Sequence, residues 1–207
     1  MMISWAICTH NEGEYIQSLL NQLVPYCVET GDEIVIVDDY STDEYTQAIL
    51  NLAEAVDDIK LVKHNLNGDF SAHKNFLIEQ CTGDYIFQID ADETLHPNLL
   101  HHVHDIIGHN PEIDLFFIPR VNVVTGLTDE DIQRWGWQVN EYGWVMFPDY
   151  QTRLFRNTPE IRWQNKVHER IAGYKTSAPF PDEEEWSLYH VKDINRQRAQ
   201  NEFYRTL

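Results

Sequence analysis

Three stretches carry carboxylates and amides immediately after apolar runs: Thr9-His10-Asn11-Glu12, Asp38-Asp39-Tyr40-Ser41 and Asp90-Ala91-Asp92-Glu93. Each follows a segment that reads as a buried strand, so all three are delivered to one edge of a sheet. In open parallel sheets that edge is where ligands bind. Five acids gathered there (Asp38, Asp39, Asp90, Asp92 and Glu93) repel one another unless a cation or the donors of a ligand neutralise them. Mg²⁺ and Mn²⁺ take oxygen ligands, commonly one or two carboxylates plus substrate phosphates. Asp92, with Asp90 beside it, therefore reads as the bridge from a divalent cation to a diphosphate, whose developing charge the ion neutralises. The plainer reading of Asp90-Ala91-Asp92 is a solvated turn that caps the next helix. No GxGxxG follows the first strand and no GxxxxGK[ST] occurs anywhere, which disfavours a dinucleotide fingerprint and excludes a P-loop.

Two further groups carry candidate chemistry. Lys74-Asn75, early in a helix, offers a cation and an amide to phosphates or a base, or else an ordinary exposed pair. His96, His101, His102, His104 and His109 suggest a metal site, but they form no convincing closed ligand set and read better as a solvated helix face.

The elements that must position these residues alternate regularly. Residues 3–8, 33–37, 59–62, 84–89 and 114–124 read as strands. Residues 14–23, 41–56, 71–80 and 97–107 read as helices. Pro25 ends the first helix, and Ser41, with Glu44 three residues on, caps the second. That order predicts an α/β fold with a mostly parallel sheet covered by helices. The rhythm is lost afterwards. Residues 135–150 are aromatic and turn-rich, 151–155 read as a strand, 177–185 as a loop, and 190–204 as a polar helix. The expected organisation is one domain over 1–207, with a part over 1–124 and a smaller C-terminal part over 125–207.

Composition bounds the function. The chain has 207 residues, 43% hydrophobic and 12% aromatic, enough for one sizeable core. A formal charge of −19 argues against general nucleic-acid binding and against adsorption to anionic lipid. No apolar run reaches membrane-spanning length, and residues 1–5 lack the features of a signal peptide. Cys8, Cys27 and Cys81 show no metal spacing and cannot all pair, so a reducing cytoplasm is expected, with Cys8 and Cys81 in the core.

Together these residues resemble the family 2 glycosyltransferases of the GT-A fold. CTHNEGEYI is similar to the family's opening strand and turn, and EIVIVDDYSTDEY to its second strand and acidic turn. FSAHKNFLIEQCTGDYIFQIDADE looks like the segment bearing its Asp-x-Asp motif, and PDYQTRLFRN, NKVHERI and LYHVKD continue the likeness. The resemblance implies inverting transfer from a nucleotide-activated sugar, most often a UDP-sugar, to a hydroxyl of a saccharide, lipid-linked sugar or surface glycan. It also implies roles residue by residue. Thr9, Asn11, Glu12 and Asp39 match nucleoside contacts, with Asp38 supporting the turn. Lys74 faces the donor. Asp90, Ala91 and Asp92 meet the ribose and the metal (Mn²⁺ or Mg²⁺), His190 is a late metal ligand, and Glu169 is the catalytic base, with His168 the alternative proton acceptor.

Acceptor contacts are sought among Trp135, Trp137, Trp144 and Tyr150, for which core packing is the stronger reading. Lys192, Arg196, Arg198 and Arg205 form either a patch for an anionic acceptor or, more simply, a solvated helix face. The rival functions are a sugar-nucleotide-binding module without turnover and transfer to a modified nucleic-acid base.

Overall fold

The computed structural model describes residues 1–204, with side chains through Glu202; Arg205 lies outside them. In chain order the elements are β1 (Ile3–Thr9), α1 (Gly13–Thr30), β2 (Glu33–Asp38), α2 (Glu44–Ala53), β3 (Ile59–Lys63), α3 (Phe70–Gln80), β4 (Tyr85–Asp90), β5 (Glu93–Leu95) and α4 (Pro97–His109). Then come β6 (Leu115–Ile118), β7 (Arg120–Thr125), α5 (Asp129–Trp135), β8 (Gln151–Arg156), β9 (Arg162–Gln164), β10 (Arg170–Ala172), β11 (Ser177–Pro179), β12 (Leu188–Asp193) and α6 (Ile194–Tyr204).

Seven strands form the main sheet in the order β11-β6-β8-β4-β1-β2-β3. Every ladder is parallel except the two made by β8, which runs against both β4 and β6. The fold is thus the helix-covered, mostly parallel α/β sheet that the alternation implies. Its central strands are apolar on both faces because both are covered. Ile3, Trp5 and Ile7 face α1, with Trp5 stacked on Phe87 at 4.7 Å between ring centres. Ala6, Val35 and Val37 face Leu77 and Ile78 of α3. A second sheet, β5-β12-β7, stands beside the first. Residues 125–204 supply β8 and β11 to the main sheet and β12 to the small one, so strands of the two halves interleave.

Several local readings change. Pro25 does not end α1: Tyr26 and Cys27 continue the buried stripe, and the helix stops at Gly31, whose φ of 76° a glycine adopts without strain. The cap of α2 is Asp43, accepting from Thr46 N at 2.7 Å, and α2 ends at Ala53. Residues 114–124 are not one strand. Pro119 has no N–H to extend the ladder, and the chain passes there from the main sheet (β6) to the small one (β7). Residues 188–193 are a strand rather than the start of the last helix, and the expected loop at 177–185 contains the edge strand β11.

The His-rich helix is not simply solvated. His101 and His102 are exposed, but His96 caps α4 through Asn98 N, and His104 turns inward. Its Nε2 lies 2.8 Å from Oδ2 of Asp32, whose side chain is wholly buried and also accepts from Ile3 N (2.8 Å) and Trp5 Nε1 (3.3 Å). Burial opposes the Asp32 charge, but these hydrogen bonds outweigh it and hold the carboxyl below its usual 3.8. A depressed folded value means that this stabilisation is present above the ordinary carboxylate range and is lost as pH falls through the folded value. Asp32→Ala leaves two buried donors unpaired and should cost roughly 2–4 kcal/mol in urea unfolding at pH 7. The gap from the parent should narrow as pH approaches 3; a gap independent of pH would remove the ionised carboxylate from the account.

Candidate functional site

The register brings the three polar strand ends level. Cys8 pairs with Asp90, and Thr9 with Asp38, so β1, β2 and β4 release their loops at one height. The first two loops are tied together by side chains. Asp38 is buried and accepts from Ser41 N (3.0 Å) and Ser41 Oγ (2.6 Å). Ser41 Oγ in turn accepts from Asn11 N at 2.9 Å. Asn11 sits at φ 56°, and its Oδ1 accepts from Thr42 N (2.7 Å) and Asp43 N (3.1 Å). Asp38 and Asn11 therefore build the rim.

Below that rim lies a cleft of about 290 Å³. Thr9, Glu12, Asp39, Lys74, Asp90, Ala91, Asp92 and Glu169 line it. Asn11 does not line it. The Thr9 hydroxyl is buried without a hydrogen-bond partner among the described residues. Asp39 is steadied by Leu66 N at 2.9 Å. Burial pushes the Cys8 thiol up to about 12. Cys8 is half-buried and packed against the core cluster that contains buried Cys81.

Glu169 arrives from the opposite half of the chain. The β9–β10 hairpin is pinned to α3 by Asn75, which exchanges two 2.9 Å bonds with the backbone of Trp163. Asn75 is thus a brace, not a ligand for phosphate or base. Lys74, one residue earlier, lies 4.4 Å over the Trp163 ring and pairs with the Glu169 carboxylate. Glu169 also borders a second hollow of about 500 Å³, shared with Asp90 and Asp92 and walled by Trp137, His168 and His190.

The acids are already compensated, in part by Arg120 and Arg153, which carried no assignment in the sequence. Asp90 is paired with buried Arg153. Burial opposes its ionisation, but Arg153 and Lys74 prevail and hold the carboxyl low. Glu93 is wholly buried and does not face the cleft. It accepts from Arg120 (2.8 Å) and Arg153 (2.7 Å). Asp92 meets His190 Nε2 at 3.2 Å and Arg196 at 2.9 Å on the same oxygen. Burial again opposes its charge, and the His190 hydrogen bond with Arg196 and Lys192 holds the carboxyl far below its ordinary range. The mutual repulsion expected of five carboxylates is therefore relieved by arginines at Asp90, Asp92 and Glu93, by Ser41 at Asp38 and by Leu66 N at Asp39, with Asp39, Asp90 and Asp92 left lining the cleft.

Of the described C-terminal basic residues, Arg198 is exposed, while Arg196 and Lys192 are not part of a solvated face. Arg196 turns into the cleft, donating to both oxygens of Glu12 at 2.8 Å and lying 4.4 Å over Tyr15. Lys192, on β12, is 6% exposed and donates to Gln200 at 2.7 Å; burial pushes its ammonium down to about 8. Arg198 is paired with Asp131. Trp135, Trp137 and Trp144 are half-buried and Tyr150 exposed, so none is core.

Among the described residues no set of three or more His, Cys, Asp and Glu side chains forms a ready metal cage. Asp92, which borders both cavities, and His190, which borders the larger one, nevertheless present one oxygen and one nitrogen 3.2 Å apart. That partial set suits Mn²⁺ or Mg²⁺, which complete their shells with water and phosphate oxygens.

Known proteins are similar to this chain along most of its length. Glycosyltransferase SunS of Bacillus phage SPbeta is 25% identical over 190 residues, covering 91% of this chain and 39% of that protein. A TPR repeat-containing protein of Synechococcus elongatus is 32% identical over 154 residues, 72% of this chain and 32% of that protein. The chain thus spans less than half the length of these relatives. Among solved structures, S. aureus TarS 1-349 in complex with UDP-GlcNAc superposes with a TM-score of 0.66 at 20% identity, over 93% of this chain and 59% of that one. The architecture they share is of the GT-A type. No helix among the described residues is long and apolar enough to cross a membrane. Residues 4–176 match the description "Glycosyl transferase family 2", and with most of its length inside that match the chain belongs to this family.

Proposed function

We propose that this chain is an inverting glycosyltransferase that moves a sugar from a UDP-sugar to a hydroxyl of a saccharide, lipid-linked sugar or surface glycan. The observation that carries the reading is the position of Glu169, a carboxylate on the boundary between the acidic cleft and the larger hollow. The cleft takes the nucleotide: Thr9, Asp39 and Glu12 face the nucleoside, and Asp90 and Ala91 the ribose. Residues 1–124 supply most of this donor side; residues 125–207 supply the base and the acceptor wall, where Trp137 offers a flat face to a sugar. TarS, similar in fold, is a protein solved with UDP and with UDP-GlcNAc. The three free cysteines accord with a reducing cytoplasm, where nucleotide sugars are made.

In the reaction the acceptor oxygen attacks the anomeric carbon from the hollow as the bond to the diphosphate oxygen breaks. The electron pair leaves with the diphosphate, and Glu169 takes the acceptor proton. Lys74 holds that carboxylate in place. Asp92 and His190 would hold a divalent cation, which when bound would supply positive charge to the departing diphosphate. Arg196, which shares the Asp92 oxygen, turns to the same anion. Glu169 borders both cavities and His168 only the hollow, which favours Glu169 over His168 as the base.

Thermal unfolding tests the reading. UDP with Mn²⁺ should raise the melting temperature by more than the sum of the separate shifts, and EDTA should cancel the excess. Equal UDP affinity with and without EDTA would end the cation part of the proposal, and absence of any UDP shift would end the donor part.

A further inference from the structure

In the small sheet β12 lies between β5 and β7, and the register places Glu93, His190 and Asn122 side by side as one rung. Side chains level with each other across a sheet share a face. There the Asn122 Oδ1 lies 3.0 Å from His190 Nδ1. An amide oxygen can only accept, so the imidazole donates from Nδ1. The other ring nitrogen, Nε2, faces Asp92. When an ion takes the place of that Asp92 contact, a hydrogen held on Nδ1 leaves the lone pair of Nε2 to meet it, the form that ligates a metal ion.

The Asn122 amide cannot flip without loss. Its Nδ2 donates to Asp149 Oδ2 at 2.8 Å, and a carboxylate offers no hydrogen to a reversed amide. Asp149 is itself held by Arg120, through Nε at 3.0 Å and Nη2 at 2.6 Å. Arg120 is anchored in turn by the buried Glu93 carboxylate. The chain Glu93–Arg120–Asp149–Asn122 therefore ends by choosing which nitrogen of His190 holds the hydrogen.

We propose that Asn122, oriented by Asp149, is a positioning residue that keeps the His190 lone pair on Nε2 and thereby sets the affinity of the Asp92–His190 pair for a divalent cation. The inference rests on the cation reading above.

Calorimetric titration of Mn²⁺ into the UDP-saturated protein tests it, since this readout needs no turnover. Asn122→Leu should weaken Mn²⁺ by about 10–100-fold, the usual cost of losing such an outer partner, while metal-free UDP binding stays unchanged. A second comparison guards against misfolding of that variant. Asn122→Asp sets two carboxylates against each other, whereas Asn122→Asp with Asp149→Asn exchanges donor and acceptor and restores the chain. The double variant should bind Mn²⁺ more tightly than the single one; a residue that merely fills space gives no such recovery. Wild-type affinity in Asn122→Leu, or a double variant no better than Asn122→Asp, overturns the inference and leaves the cation reading standing. Failure of the wild-type protein to bind Mn²⁺ with UDP overturns both, and that failure is visible before any variant is made.

Discussion

Glu169→Gln should lower the turnover number for sugar transfer by about 10²–10⁴-fold, the range general-base assistance contributes. That corresponds to roughly 3–5.5 kcal/mol of lost transition-state stabilisation. The substitution keeps the shape of the side chain and leaves an amide oxygen to accept from Lys74, so the fold and the donor KM should change little. The split between turnover number and KM is therefore the diagnostic: the proton acceptor acts in the chemical step, and the donor is bound by other residues of the cleft. His168→Ala is the control. It should cost far less, because His168 borders the hollow without reaching the donor cleft. If His168→Ala lost as much while Glu169→Gln retained its turnover, proton abstraction would pass to the histidine.

Asp92→Ala should be as severe by a different route. The variant removes the one carboxylate that meets both His190 and Arg196, so the charge facing the leaving diphosphate is no longer anchored. Transfer should fall on the order of 10²–10³-fold at least, and the dependence of UDP binding on Mn²⁺ should disappear. The fold should survive. Arg196 keeps both oxygens of Glu12, and His190 keeps Asn122, so neither partner is stranded. Circular dichroism and the melting temperature report on that survival separately from activity. Transfer retained in a folded Asp92→Ala protein would move the ion, and the charge stabilisation with it, away from this residue.

Much of the site is legible without coordinates, and the reason is local. Asp39, Asp90 and Asp92 each stand at or just past the end of an apolar strand, and a parallel sheet sends successive strand ends to the same edge. Once the alternation is read, their convergence follows. Glu169 is different. Its place depends on the Asn75 braces to Trp163 and on the Lys74 pair, contacts between residues 88 and 95 positions apart. Resemblance to a family points to it; periodicity does not.

The charges that balance the site escape a reading of the chain for the same reason. Arg153 sits in a strand that β-propensity alone identifies, and nothing nearby in sequence says that its head lies buried between Asp90 and Glu93. Arg196 stands in a polar segment of the kind usually solvated, yet it turns into the cleft. Glu93, adjacent to the Asp-x-Asp pair, invites assignment to the ion and instead lies wholly buried against two arginines.

What this protein's sequence determined by itself is the layering and the edge. Burial patterns with a period of two or 3.6 residues select strands and helices, and chain order selects a parallel sheet with its acidic loops on one side. Only the tertiary structure decided which of those acids face ligand and which face arginine. An ion pair is a contact between points distant in the chain, its energy depends on the burial that surrounds it, and neither quantity exists until the strands have docked.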